Sequence, residues 1–186
     1  MIKNRKPIRL RPEIVLTNEE FGHFEVDLIV GTEHKGAILT IVERKTKFLI
    51  MRKLSGKNAK ILAKAMICTL LPYKDYVKTI TSDNELEIGS IREYLLKKQK
   101  NKQFSEHEYI SKKLSCNFYF ANPYCSWERG LSENTNKLVR QYIPKGTYFE
   151  KISKEKIKEI QHKINRRPRT AKHITNTLTL KTIKSE

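Results

Sequence analysis

The sequence predicts a mixed α/β domain with the element order β-β-β-α-β-α-β-α-α. Three observations lead there. Apolar and polar residues alternate through the first third of the chain, helical spacing takes over later, and glycine or proline marks most of the joints.

The elements follow in order. Residues 1–20 are rich in Lys, Arg and Pro without a sustained period, and read as a basic arm or linker with no fold of its own. From Gly22 onward, Phe24, Val26, Leu28 and Val30 alternate with His23, Glu25, Asp27 and Ile29, the pattern of a strand with two distinct faces. Gly31 and Gly36 bracket a turn. Residues 37–42 and 48–54 then read as two further strands joined by the charged turn Glu43–Lys47, so the first three strands make an antiparallel meander. Ser55-Gly56-Lys57-Asn58 is a helix-start signature before the helical run 59–67, and Pro72 stops that helix. Residues 77–81 form a short β-prone run leaving through Ser82-Asp83-Asn84. Residues 91–114 are Lys-rich with helical spacing, 117–121 read as a strand, 131–142 as a helix ended by Pro144-Lys145-Gly146, and Ile157, Ile160 and Ile164 mark a last helix ending near Pro168. The division expected is an arm over 1–20, a core over 21–170 and a tail over 171–186.

Composition narrows the function. The chain has 186 residues, 38% hydrophobic and 31% charged, which suits one soluble domain. Its net charge of +18 creates a field that attracts phosphate backbones and releases their counterions. Cys68, Cys116 and Cys125 form no C-x-x-C pair, which speaks against a disulfide framework or a cysteine zinc site and for a reducing compartment. No apolar run follows the basic start as in a signal peptide, and none is long enough to span a membrane.

The carboxylates are the candidate chemistry. Glu25 and Asp27, two apart on a strand, project from one face, where burial requires a cationic partner such as a nearby Lys or Arg. Asp83 lies just past a strand end, where an Asx turn or a helix cap is the plain alternative. Glu133 opens a helix with Lys137 four residues on, the spacing of an ordinary salt bridge. Converging, Asp27, Asp83 and Glu133 would supply hard oxygen ligands for Mg²⁺ or Mn²⁺. Two such ions suit in-line attack on a phosphate. Lys137 and Arg140 share the helical stripe of Glu133 and would bring phosphate-binding cations beside it. No P-loop, zincin helix or G-x-S-x-G elbow competes.

At these residues a resemblance enters. Gly22-His23-Phe24-Glu25-Val26-Asp27-Leu28 resembles the G-H-W-E-x-D-L motif of bacterial insertion-sequence transposases of the IS-thirty group. Val42-Glu43-Arg44-Lys45-Thr46 is similar to that family's V-E-R-K-[ST] segment, and Thr79–Asn84 to its T-[IL]-T-x-D-N segment. The stretch from Tyr119 through Trp127-Glu128-Arg129-Gly130 and Ser132-Glu133-Asn134 to Thr147 is the longest likeness, which continues to Arg169.

The resemblance implies a ribonuclease-H-like fold, with a central five-stranded mixed sheet of three antiparallel and two parallel strands flanked by helices. It implies DDE strand-transfer chemistry, with the catalytic and metal-binding carboxylates at Asp27, Asp83 and Glu133 and two Mg²⁺ or Mn²⁺ ions as cofactors. Arg129 and Lys145 lie in the matched motif and join Lys137 and Arg140 as candidates for DNA contact, while Trp127 either packs or stacks. The implied partners are mobile-element ends and target DNA, held by a dimer or larger assembly in a bacterial cytoplasm, on the nucleoid. Three departures stand out. Asn84 is followed by Glu85 where the family has Gly. Asp83 and Glu133 lie fifty positions apart, more than the family's usual spacing, with the surplus in the Lys-rich stretch near 90–104. The short arm cannot hold the family's helix-turn-helix region, so a truncated transposase is expected. The alternatives are a degenerate remnant that only binds nucleic acid and a nuclease of the same fold acting on another nucleic acid.

Overall fold

The computed structural model describes residues 4–32, 36–54, 59–83, 106–122 and 125–168. The helix-start signature at 55–58, the Asn84-Glu85 turn, the Lys-rich stretch near 90–104 and the tail lie outside them. Strands β1 (His23–Val30), β2 (Ala37–Glu43), β3 (Leu49–Leu54), β4 (Thr79–Ser82) and β5 (Asn117–Phe120) form one sheet in the order β3-β2-β1-β4-β5. β1 pairs antiparallel with β2 and β2 with β3, while β1–β4 and β4–β5 are parallel. The helices are α1 (Ile14–Thr17), α2 (Ala59–Leu70), α3 (Glu106–Leu114), α4 (Gly130–Arg140) and α5 (Lys154–Asn165). The mixed five-stranded sheet expected from the sequence is the one observed.

Both faces of the sheet are covered, which is why β2 is buried at every position. Period-two alternation sends Phe24, Val26, Leu39, Ile41, Ile50 and Ile80 to one face, where α2 and α3 supply Met66, Leu70, Ile110 and Leu114. The other face carries Ile29, Ile38, Val42, Leu49 and Met51 against Val139 of α4 and Ile157, Ile160 and Ile164 of α5. Near β1 and β4 this second face turns polar, with Glu25, Thr79 and Thr81 all buried. The candidate site lies there.

Pro72 ends α2, as its sequence position predicts, yet the chain continues as a tight 3₁₀ segment over Leu71–Tyr76. Pro near the start of that segment loses nothing, because its missing N–H has no helical partner there. β4 consequently starts at Thr79 rather than Val77, whose N–H is still bonded to the Lys74 carbonyl.

Residues 4–20, aperiodic in sequence, lie against this core. Pro7 bridges to Phe120 beside β5, the Phe120 N–H donates to the Lys6 carbonyl at 3.0 Å, and Val15 of α1 is fully buried. Among the described residues no helix is long and apolar enough to cross a membrane.

Candidate active site

Sheet register sets the site. β1 and β4 run parallel with Glu25 beside Thr81 and Val26 beside Ser82. Asp27 and Asp83 follow one step further along the two chains, close enough for one guanidinium to reach both. Gly22 fixes this register. Its carbonyl accepts from the N–H groups of Lys78 and Thr79 at 2.8 and 3.2 Å, and its own N–H donates to Glu43 at 3.2 Å. It does so at φ +105°, where a Cβ would lie 2.0 Å from the Tyr76 carbonyl oxygen, so only glycine fits the start of β1.

Arg129 joins the two aspartates. It precedes α4, is 5% exposed, donates from Nη2 to Asp83 Oδ2 and brings Nη1 within 3.5 Å of Asp27 Oδ1. Its Nε and Nη1 are buried with no hydrogen-bond partner among the described residues. The second Asp27 oxygen accepts from Asn136 Nδ2 at 2.6 Å, and the Leu28 N–H donates to Oδ1 at 2.9 Å. Asn136 is steadied in turn by Thr40, the β2 residue opposite Asp27, whose hydroxyl donates to Asn136 Oδ1 at 3.2 Å. Burial pushes the Asp27 carboxyl above the ordinary aspartate value, and the neighbouring Asp83 adds to this; Arg129, the Leu28 N–H and Asn136 pull against it.

Glu133 lies in the first turn of α4, half-buried. It precedes Asn136 by three residues and therefore shares the helix face turned toward Asp27. The start of α4 is tied down by Glu25: its Oε2 accepts from the Ser132 N–H at 2.9 Å, and its Oε1 pairs with Arg44 Nη1. Arg44 also donates from Nε to the Val15 carbonyl at 3.0 Å, linking the arm to the same network. Glu25 thus meets the cationic partner that its burial requires, and that partner comes from the V-E-R-K-T segment.

The remaining site candidates separate. Lys137 and Lys145 are exposed. Arg140 is committed elsewhere: it donates to the carbonyls of Val30 at 3.2 Å and Pro144 at 3.4 Å and lies over the Phe149 ring. Sequence reasoning passed over Asn136, Thr40 and Arg44. Asn136 looks like any polar helix residue, and Arg44 sits in a charged turn whose partner only the strand register reveals.

Asp27 and Asp83 present hard oxygen donors suited to Mg²⁺ or Mn²⁺, and the pair already accommodates a cation, the Arg129 guanidinium. The described residues contain no group of three or more His, Cys, Asp or Glu that could hold a metal ion. The expected three-carboxylate set is therefore gathered as a pair, with Glu133 on the adjoining helix face.

Comparison with known proteins places this geometry in a family context. Over 168 residues the chain is 47% identical to the transposase for insertion sequence element IS4351 of Bacteroides fragilis, covering 90% of this chain and 47% of that protein. It is 33% identical over 166 residues to the probable transposase for insertion-like sequence element IS1161 of Streptococcus salivarius, covering 88% of this chain and 42% of the relative. It is 29% identical over 169 residues to the transposase InsI for insertion sequence element IS30C of Escherichia coli, covering 90% of this chain and 40% of the relative. The chain thus spans less than half the length of these relatives. No protein-family model matches. Among solved structures, the catalytic core domain of BIV integrase superposes with a TM-score of 0.57 at 14% identity, covering 89% of this chain and 99% of that one. The simian T-cell lymphotropic virus intasome superposes with a TM-score of 0.61 at 14% identity, covering 84% of this chain and 53% of that one. The fold is that of an integrase catalytic core.

Proposed function

We propose, on the premise that this chain is a relative of the insertion-sequence transposases with an integrase-core fold, that it cleaves and joins DNA strands in a divalent-metal-dependent reaction. The observation that carries this reading is the pair Asp27 and Asp83, set side by side by parallel register with a cation between them. Asp27 and Asp83 would hold Mg²⁺ or Mn²⁺, with Glu133 the third ligand from α4. The chemistry such ions would supply there is activation of a water or a 3′-hydroxyl and stabilisation of the leaving oxygen in in-line displacement.

The protein's own groups have separate tasks. The Leu28 N–H and Asn136 aim the two Asp27 oxygens, while the Glu25–Arg44 pair anchors the start of the helix bearing Glu133. A metal ion held by the aspartates would free the Arg129 guanidinium to donate to a phosphate oxygen. Lys137 and Lys145, exposed beside it in sequence, add to the phosphate contacts that the net charge of +18 favours. Mobile-element ends and target DNA are the proposed substrates, bound by more than one copy of the chain.

The test is cleavage and joining of a labelled DNA duplex in Mn²⁺ or Mg²⁺ by the wild type and by an Asp83→Asn variant, with DNA binding measured in parallel. Metal-dependent products from the wild type alone support the enzyme. Equal inertness with equal binding would leave a relic that only binds nucleic acid.

A further inference from the structure

Trp127 is the single tryptophan of the chain and, among the described residues, the most exposed large apolar side chain, at 73%. Solvation of so large an apolar face adds nothing to folding, so its reason is sought in a ligand. Its backbone is nevertheless tied down through the two residues that follow it. The next residue, Glu128, accepts from the Asn122 N–H at 2.7 Å and from Asn122 Nδ2 at 2.9 Å, and the one after, Arg129, is fastened to Asp83 and Asp27. The indole thus stands two residues from the group that bridges the aspartates.

Trp127 forms one wall of a hollow of about 670 Å³ between the arm and the start of α4. Arg9, Arg11 and Lys47 line the same hollow. Arg11 donates to Thr81, two residues before Asp83, at 3.1 Å, and Lys47 bonds the Arg44 carbonyl. Two acidic groups, Glu13 and Glu128, share the wall with these three cations, and Glu128 also accepts from Asn122. An apolar ring face with an excess of cations around it matches a nucleotide: a base to stack and a phosphate to neutralise.

We propose that this hollow receives one unpaired nucleotide at a DNA strand end, its base stacked on Trp127 and its phosphate held by Arg9, Arg11 and Lys47. The pocket rests on the reading of the chain as a DNA strand-transfer domain. It adds a preference for frayed or overhanging ends over blunt duplex, because a base held in a pair cannot leave the duplex to enter the hollow.

The sole tryptophan makes the test direct. Tryptophan emission and DNA affinity are measured for a blunt duplex and for the same duplex carrying a three-nucleotide 5′ or 3′ overhang, first without divalent metal. One overhang is expected to quench the emission and to bind about tenfold tighter than the blunt duplex, the scale of one base–aromatic stack. Trp127→Ala should abolish that preference, Trp127→Phe should keep part of it, and Arg9→Gln should lower the salt slope of overhang binding by about one. Blunt and overhanging duplexes bound alike, without quenching, would overturn the pocket and leave the DNA reading standing. Failure to bind either duplex would overturn both. Emission that reddens on dilution without DNA would show a second copy of the chain seated on Trp127, and would also overturn the pocket.

Discussion

Arg129 hydrogen-bonds Asp83 from Nη2 while its Nη1 lies 3.5 Å from Asp27, so one guanidinium sits where two carboxylates would share a metal ion. The carboxylates are only 20% and 25% exposed, and without a cation their mutual repulsion is poorly screened. Arg129→Gln should therefore destabilise the metal-free protein by about 1–3 kcal/mol, less than a fully buried pair because water still reaches both aspartates. Mn²⁺ should recover more of this loss in the variant than it adds to the wild type, since no guanidinium has to be displaced. Thermal melts with and without MnCl₂ decide the matter. Equal metal-induced shifts in both proteins would rule out competition between Arg129 and the ion.

Part of the placement of these candidate residues was readable from spacing. The alternation around Glu25 and Asp27 set both carboxylates on one sheet face, and the strand-end position of Asp83 is where the structure has it. Neither Arg44 nor Asn136 was legible. Their partners lie 19 and 109 residues away, and contacts across such distances emerge only once register and helix docking are known. The docked arm escaped for a different reason. One bridge at Pro7 and two buried side chains, Ile8 and Val15, leave no periodic trace. Arg129 was expected to meet phosphate, but in the protein alone the nearest anions are the aspartates.

Glu25 and Arg44 are a buried pair on which α4 depends. Glu25 is fully buried and Arg44 is 8% exposed. Arg44→Met should cost about 3–5 kcal/mol, because it leaves an unpaired carboxylate in the interior. Adding Glu25→Leu should recover part of the stability by removing that charge. It should not recover strand cleavage, since the Ser132 N–H then loses its acceptor and the helix bearing Glu133 loses its anchor. Denaturant unfolding and a cleavage assay on the two variants separate these effects. A double variant as active as the wild type would show that the pair serves stability alone.

The cysteines should differ sharply in reactivity. Cys68 is exposed, whereas burial pushes the Cys116 thiol up to about 11. Only the thiolate attacks alkylating agents, so at pH 8 about one Cys116 in a thousand is reactive at any moment. Iodoacetamide at pH 8 followed by peptide mass spectrometry should label Cys68 within minutes and Cys116 only when the pH approaches 11 or the protein unfolds. Equal labelling of both at pH 8 would mean that the wall around Cys116, which includes Phe118 and His107, opens readily in solution.

The basic residues of α4 and the turn beyond it should divide into two kinds. Lys137 and Lys145 are exposed, so each Ala variant should leave unfolding within about 0.5 kcal/mol of the wild type. If each meets a phosphate, each substitution should lower the slope of log affinity against log salt by about one. Arg140 should behave in the opposite way. Its guanidinium caps the Val30 carbonyl at the end of β1, reaches the Pro144 carbonyl and rests on Phe149, and burial lowers its pKa. Arg140→Ala should cost about 1–3 kcal/mol through lost hydrogen bonds and ring contact. Its salt slope should stay that of the wild type. Duplex binding at several salt concentrations, alongside urea melts, reads both quantities. An Arg140→Ala protein of unchanged stability but shallower slope would return this side chain to the DNA-contacting set.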